Sequence, residues 1–355
     1  MSEELVDKLK KSIDKLENKK IKIFLFVQDT KGNPKASIRV LYESAYALKK
    51  EGYEIIILHD KKDYIGVGEW LDEKYMKEIT HLSVEGTKLE VSPEDILVIP
   101  EIFGGIMEQV AKMPCAKVVF SQAYDHIFET LQPGMSWAQL GFNRCITTSD
   151  EQIKIIQNVM KNINIEVVQP LISEVFSKKS EFPKPIIGVH TREQRVGLNI
   201  IKEFYMKYPH FRWVTFRDLR GLSEIKFANA MDETMLSVWV DPNSSFGTFP
   251  LESMKKGIPV LGQVPSLVPN WMNENNGIWV QNPITIVDAL GEFIQNWLED
   301  NINESLYESM KETINGLTTI ESFEEKIKKF FEDIIEERKK AFKANLNKLN
   351  ETVDK

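Results

Sequence analysis

The sequence has few cysteines and no long apolar run. Its 355 residues include two cysteines, Cys115 and Cys145, and neither has the spacing to a partner that metal sites show. We therefore expect two buried free thiols and no disulfide. No apolar stretch is long enough to span a bilayer, so no membrane span is predicted. The first residues lack the apolar core of a signal peptide, which predicts a cytoplasmic protein.

A basic charge balance is also absent. The net charge is −8 at pH 7, whereas proteins that bind nucleic acid usually carry a basic face. This charge lowers the expectation of a nucleic-acid partner without excluding a local basic patch. The apolar and charged fractions are those of an ordinary globular protein. The chain is long enough for two domains of ordinary size.

Strand and helix patterns alternate along the chain. Residues 21–27 form a continuous apolar run, as in a strand covered on both faces. A polar loop, an amphipathic helix over 38–50 and another apolar strand at 53–58 follow, which is a βαβ unit. A similar alternation restarts at residue 185. The predicted fold class is therefore α/β with parallel sheets.

The pattern predicts three regions. Residues 173–185 are polar and hold two prolines, so we place a domain linker there. The predicted domains are residues 1–172, with an N-terminal helix, and residues 173–318. Residues 319–355 form a helix with an apolar face. We expect this helix to pack back on the first domain or on a partner.

The most informative segment lies between residues 241 and 262. It predicts a glycine-bearing loop, a helix with Pro250 in its first turn and Gly257 after its end, and a strand. Glu252 is predicted in the first turn, at the positive end of the helix dipole. A carboxylate there can accept hydrogen bonds from the two vicinal hydroxyls of a ribose. The alternative is an acidic residue that only stabilises the helix.

This segment resembles the donor-site motif of retaining glycosyltransferases with the GT-B fold, family 4 in particular. The matching residues are Phe246, Gly247, Pro250, Glu252, Gly257, Pro259 and Val260. The first Glu of the family motif falls on Ser244. The resemblance implies two Rossmann-like parallel-sheet domains that face a cleft, with a C-terminal helix. It also implies that Glu252 holds the nucleotide ribose, and that Ser244 and Phe246 to Thr248 bind the donor.

Two arginines follow the first strand of the second half. A diphosphate needs cations and a helix N-terminus, and Arg192 and Arg195 precede a helix that is predicted to begin at Gly197. The resemblance assigns both to the leaving diphosphate, whose charge most needs stabilisation. The alternative is two surface arginines beside a capped helix. Arg192, Glu252 and His126 are the predicted catalytic residues.

Other candidates follow strand ends of the first half, where ligands collect in open α/β sheets. The resemblance places the loop of Gly32, a donor-binding candidate, at the donor phosphates or the acceptor, and it places His126 at the sugar. Glu101, Gln122 and Tyr124 are predicted on the acceptor side. His126 is alternatively a solvated side chain in a turn, and Glu101 a cap of the helix that follows it.

The resemblance implies a hexosyl- or pentosyltransferase that moves a sugar from a UDP- or GDP-linked donor to an acceptor hydroxyl, with retention. No further cofactor is expected. The metal-binding Asp-x-Asp pattern of another glycosyltransferase class is absent, so transfer without a metal is predicted. A glycan, a lipid-linked sugar or a small molecule is the expected acceptor.

Other functions stay open. A hydroxymethylated base in DNA is an alternative acceptor, and such a base would have to leave the stack. A sugar-phosphate epimerase shares this architecture, and a catalytically silent scaffold would explain Ser244. A dinucleotide dehydrogenase is disfavoured because neither half opens with Gly-x-Gly-x-x-Gly. Nothing in the sequence indicates the oligomeric state.

Overall fold

The chain forms two compact units. The computed structural model describes residues 2–177, 183–301 and 303–353. The first unit holds residues 2–148, 153–169 and 319–353, and the second holds 149–152 and the described residues between 170 and 318. The chain thus enters the second unit ahead of the predicted linker at 173–185, of which residues 178–182 lie outside the described residues.

A seven-stranded parallel sheet is the centre of the first unit, with the order β3-β2-β1-β4-β5-β6-β7. Its strands are β1 (Lys22–Phe26), β2 (Glu54–His59), β3 (Thr80–Ser83), β4 (Ile96–Pro100), β5 (Ala116–Ser121), β6 (Arg144–Thr147) and β7 (Asn164–Val167). Ile23 of β1 pairs with Ile55 on one side and Ile96 on the other. Every residue of β4 is buried, which explains why the central strands read as apolar runs.

Helices connect these strands and pack on the sheet. They are α1 (Ser2–Glu17), α2 (Ala36–Lys50), α3 (Lys74–Glu78), α4 (Gly104–Val110), α5 (Tyr124–Thr130) and α6 (Asp150–Val159). The C-terminal helix, α12 (Ile320–Val353), contacts α1 and α2. It buries Phe323, Ile327 and Phe331, and Lys50 on α2 lies 2.6 Å from the carboxylate of Glu324. Within the first unit, α12 therefore packs against α1 and α2.

The second unit has a five-stranded parallel sheet with the order β12-β11-β10-β8-β9. The strands are β8 (Ile186–Thr191), β9 (Thr215–Asp218), β10 (Thr234–Val240), β11 (Val260–Gln263) and β12 (Ile278–Val280). The helices are α7 (Gln194–Lys207), α8 (Glu224–Met231), α9 (Thr248–Lys255), α10 (Ile286–Leu298) and α11 (Glu304–Asn315). All of β10 is buried, as its central place in the sheet requires.

Two helices begin earlier than predicted. Helix α7 begins at Gln194 rather than Gly197, so Arg195 lies inside the helix. Gly197 packs against β8, because a Cβ there would lie 3.1 Å from the Thr191 hydroxyl. Helix α9 begins at Thr248, after Gly247 in the left-handed conformation. Pro250 is still in the first turn, where a missing N–H costs little.

The placement of Glu252 in the first turn of α9 was wrong. The helix starts two residues ahead of Pro250, which moves Glu252 into the second turn. The helix dipole acts mainly within the first turn, so it contributes less at Glu252 than predicted.

Two observations concern the composition. Cys115 and Cys145 are buried and free, as predicted. Among the described residues, no helix combines the length and the apolarity that crossing a membrane requires.

Candidate functional site

In the second unit, the structure brings the predicted cation loop and donor loop together. Strands β8 and β10 are neighbours, so the loops that follow them meet at the carboxyl edge of the sheet. The Arg192 N–H donates to the Val240 carbonyl over 2.9 Å. The Arg192 guanidinium lies 3.5 Å from the Asp241 carboxylate. The N–H of Ser244 donates to the Asp241 carbonyl over 3.2 Å, which starts the donor loop.

Tryptophans fix the donor loop beside Gly247. Gly247 has a φ of 76°, and a Cβ there would lie 3.2 Å from ring atoms of both Trp239 and Trp271. The Trp271 Nε1–H donates to the Phe246 carbonyl over 2.6 Å. The Trp279 ring packs edge-on against both other rings, with centroids 6.4 and 6.0 Å away. The motif indicated this glycine, whereas the tryptophans that require it were not singled out.

Glu252 is buried in α9, with 6% of its surface exposed. Thr248 opens the same helix and is half-buried, and Phe246 just before it is buried. A carboxylate in such surroundings is costly unless it is paired or hydrogen-bonded. Glu252, the candidate ribose ligand, is therefore a buried side chain of α9, the helix that directly follows the donor loop.

His190 lies at this edge and was not among the predicted site residues. It is the second-last residue of β8, and its ring stacks on Phe249 of α9 with centroids 4.5 Å apart. Burial, with a smaller effect from the charge of Arg220, lowers the pKa of His190 to about 4. Arg220 itself pairs with Asp218 at the end of β9 over 2.9 Å. His190 is thus a neutral imidazole at physiological pH.

The two predicted arginines differ in their surroundings. Both are exposed. Arg192 stands in the loop beside Asp241, whereas Arg195 is the second residue of α7. Both cations therefore lie at the N-terminal end of a helix that points away from the sheet edge, the arrangement that favours an anion.

In the first unit, Asp29 fixes the loop that carries Gly32. Gly32 has a φ of 79°. The Asp29 carboxylate accepts from the N–H groups of Ile65 and Gly66 over 3.1 Å each, and it lies 3.2 Å from the Lys31 ammonium. Burial acts to raise the pKa of Asp29, but these bonds outweigh it and the pKa is lowered. An acidic residue three positions after the end of β1 was the overlooked signal.

The acceptor-side candidates also meet at the carboxyl edge of their sheet. Gln122 follows β5, and its side-chain amide donates to the Ser37 carbonyl over 2.9 Å, which links it to the start of α2. Tyr124 and His126 lie on α5 and are half-buried. His126 is therefore helical rather than in the expected turn. Gln122, Tyr124 and His126 thus lie on one segment that contacts the start of α2, the helix that follows the Gly32 loop.

Glu101 does not cap the helix that follows it. Its carboxylate Oε1 instead accepts from the N–H groups of Gln122 and Ala123 over 2.8 and 2.7 Å, at the start of α5. The capping alternative was wrong, because the carboxylate bonds to the backbone of a loop that lies 21 and 22 residues further along the chain.

A buried aromatic cluster behind the Gly32 loop was not predicted. His59 Nε2 lies 2.9 Å from His81 Nδ1, and the Tyr64 ring stacks on His59 with centroids 4.0 Å apart. Tyr42 stacks on His81. Within the described ranges, His59 Nδ1 and the Tyr42 hydroxyl have no hydrogen-bond partner. His59 ends an apolar strand and His81 lies on an edge strand without an apolar run, so the sequence gives no signal for the cluster.

The chain resembles known glycosyltransferases in sequence and in fold. No family model matches the chain. A curated relative, an α-1,6-glucosyltransferase of Actinobacillus pleuropneumoniae, is 21% identical over 269 residues, which cover 70% of this chain and 78% of the relative. Among solved structures, TarM of S. aureus matches with a TM-score of 0.63 and 10% identity, over 88% of this chain and 98% of TarM. A sucrose-phosphate synthase from Thermosynechococcus elongatus matches with a TM-score of 0.61 and 11% identity, over 88% and 99%.

The chain has the GT-B fold. The predicted fold class is thereby confirmed, and the glucosyltransferase relative together with this fold classes the chain as a glycosyltransferase. Membership of family 4 within the GT-B glycosyltransferases stays a prediction. So does metal independence. Among the described residues, no three His, Cys, Asp or Glu side chains are grouped so that they could hold a metal ion.

Proposed function

We propose that this GT-B glycosyltransferase moves a hexosyl group from a UDP-sugar to a sugar hydroxyl of a glycan or small molecule, with retention and without a metal. The observation that carries the proposal is the junction of two loops at the carboxyl edge of the second sheet. There the backbone of Arg192 is bonded to Val240, beside the loop that leads through Gly247 into α9. At this junction Arg192 and Arg195 lie at the start of α7, and a diphosphate binds best beside cations and a helix N-terminus.

The choice of UDP is supported by proteins of the same fold. The pneumococcal O-GlcNAc transferase GtfA, with a TM-score of 0.59 and 10% identity, was solved with UDP and GlcNAc. The plant protein UGT71G1 of Medicago truncatula, with a TM-score of 0.54 and 12% identity, was solved with UDP-glucose. GDP is the second donor nucleotide to test.

Each residue has a proposed task in the transfer. Glu252 accepts hydrogen bonds from the two ribose hydroxyls of the donor. Arg192 and Arg195 stabilise the diphosphate as it leaves, and the N–H groups at the start of α9 add to this stabilisation. The acceptor hydroxyl attacks from the face that the diphosphate leaves, and the departing phosphate takes its proton. The bond from the sugar carbon to the phosphate oxygen breaks as the bond to the acceptor oxygen forms.

The first experiment identifies the donor. Thermal unfolding is followed with UDP, GDP, ADP, CMP and their common sugar conjugates. A ligand that binds only the folded state increases the free energy of unfolding by RT ln(1 + [L]/Kd), so the unfolding midpoint rises. We expect a rise with UDP and with one UDP-hexose. A rise with GDP alone would replace the donor nucleotide, and no rise with any compound would favour the silent scaffold.

The second experiment tests Glu252. Glu252→Ala should weaken UDP binding at least about tenfold, because hydrogen bonds to a carboxylate are among the stronger ones. Titration calorimetry measures the Kd. The matched control is Glu292→Ala, which removes an exposed carboxylate from α10. Equal UDP affinity in the wild type and in a folded Glu252→Ala variant would remove the ribose assignment.

The third experiment searches for the acceptor. UDP release from UDP-glucose is measured with p-nitrophenyl α-glucoside, with maltotriose and with duplex DNA that contains hydroxymethylcytosine. Transfer to a glucoside supports the proposal, and the anomer of the product decides on retention. Transfer to DNA alone would replace the acceptor class. Donor binding without release of UDP would indicate a scaffold that binds but does not turn over.

A further inference from the structure

A single buried carboxylate holds the segment that carries the acceptor-side candidates. Glu101 lies directly after β4 and is 2% exposed. Its Oε1 accepts from the backbone N–H groups of Gln122 and Ala123, which connect β5 to α5, over 2.8 and 2.7 Å. Because both donors belong to the backbone, the carboxylate fixes the path of the chain at the end of β5.

The same residue also holds the other end of α5. The hydroxyl of Thr130, the last residue of that helix, donates to the Glu101 carbonyl over 2.6 Å. The backbones approach closely here, since a Cβ on Gly104 would lie 1.9 Å from the Thr130 carbonyl oxygen. Helix α5 has only seven residues, too few to be stable by itself. Its position therefore depends on these two attachments.

We propose that Glu101 is the positioning residue of the acceptor side, because it sets where Gln122, Tyr124 and His126 stand at the carboxyl end of β5. This inference rests on the proposed transferase function, in which that segment meets the acceptor. Glu101 itself is too buried to touch a substrate, so it acts through the loop and through α5.

The attachment at the start of α5 is sensitive to pH. Burial raises the pKa of Glu101 to about 7, although the N–H groups of Gln122 and Ala123 act to lower it. Among the described residues, the titratable groups that face this carboxyl are Asp125 on α5, whose charge raises its pKa further, and Cys145 on β6. Ionised Glu101 accepts the stronger hydrogen bonds. Detachment of the segment alone leaves Glu101 buried but without these two N–H donors, which shifts its pKa further upward. Ionised Glu101 therefore favours the attached segment, which is held most firmly above pH 7 and more loosely below it.

The test compares Glu101→Gln with the control Glu108→Gln, which changes an exposed carboxylate on α4. Glutamine keeps the size and an accepting oxygen but loses the charge. We expect the KM for p-nitrophenyl α-glucoside to rise about tenfold in Glu101→Gln, since charge-assisted bonds become neutral ones. The Kd for UDP should not change. The low-pH decline of kcat/KM for the acceptor should flatten in this variant only.

A second readout needs no substrate and separates this inference from the proposed function. Hydrogen exchange of the backbone amides over 121–126 is followed by mass spectrometry in the wild type at pH 8 and pH 6 after correction for intrinsic exchange rates. We expect faster exchange at pH 6 in the wild type, and at both pH values in Glu101→Gln. If no acceptor works, the transferase proposal fails while exchange still decides on Glu101. Unchanged exchange, or a raised Kd for UDP with an unchanged acceptor KM, would overturn the inference.

Discussion

At the scale of single residues, Gly247 shows how a packing constraint produces a motif. Its φ of 76° is a conformation that side chains with a Cβ rarely adopt. Two tryptophan rings also lie 3.2 Å from the position of an added Cβ, which is closer than an ordinary contact. The donor loop therefore follows this path because glycine, a left-handed turn and the rings of Trp239 and Trp271 fit together.

Gly247→Ala should destabilise the protein and weaken UDP binding. The left-handed backbone alone costs about 1–2 kcal/mol for alanine, and the contact with two rings adds to this cost. The matched control is Gly221→Ala, which has a φ of 70° and nothing within 4 Å of an added Cβ. Urea unfolding and UDP calorimetry measure both variants. Equal losses of stability in the two would show that the tryptophans do not restrict the loop.

The same residues show what a sequence can and cannot indicate. Gly247 and Glu252 lie in one short segment, so a local motif indicated them. The roles of Asp29 and Trp271 come from bonds to Gly66 and Phe246, which lie 37 and 25 residues away in the chain. No local pattern contains such a partner, and their contributions were therefore missed.

At the scale of elements, burial on both faces decided which strands were predicted. Strands β1, β2 and β4 are almost wholly buried and read as apolar runs. Strand β3 lies at the sheet edge and alternates exposed with half-buried residues, as THLS. Its sequence has no apolar run, so it was not predicted. Edge strands of this kind need the neighbouring strand to define them.

The C-terminal helix offers the next prediction. Phe331 of α12 is 1% exposed, whereas Phe342 on the same helix is half-buried. Phe331→Ala should lower the stability of the first unit by about 3–5 kcal/mol, because it removes a large buried side chain and leaves a cavity. Thermal unfolding measures the loss, with Phe342→Ala as the control. A loss of equal size in the control would mean that α12 is held along its length rather than by this apolar stretch.

At the scale of the whole molecule, the order of elements was enough to predict two parallel-sheet units. Strand, helix and strand recur in both halves, and parallel strands need such crossovers. The helix starts at Gln194 and Thr248 were not predicted. The sequence favoured Gly197 and Pro250, which lie a few residues further inside these helices. Burial of titratable groups is a property of the complete fold, and it makes the stability of the protein depend on pH.

Stability should fall as the pH falls from 6.5 towards 4. Burial, followed by the neighbouring His81, lowers the pKa of His59 to about 4, and burial has the same effect on His190. The unfolded chain binds these protons near pH 6.5, whereas the folded chain excludes them until about pH 4. Each of these two histidines therefore contributes up to roughly 3 kcal/mol of stability above pH 6.5 that is lost on acidification.

His59→Gln should reduce this dependence. The glutamine has no proton to gain in the window, so the slope of the thermal midpoint between pH 6.5 and 5 should be shallower than in the wild type. His210→Gln, which changes an exposed histidine, is the control. Glu101 acts in the opposite direction, because its raised pKa means that the folded chain binds its proton first. Both variants keep Glu101, so its contribution cancels when the pH slope of the thermal midpoint in His59→Gln is compared with that in His210→Gln. Equal slopes in the two variants would contradict a buried neutral His59.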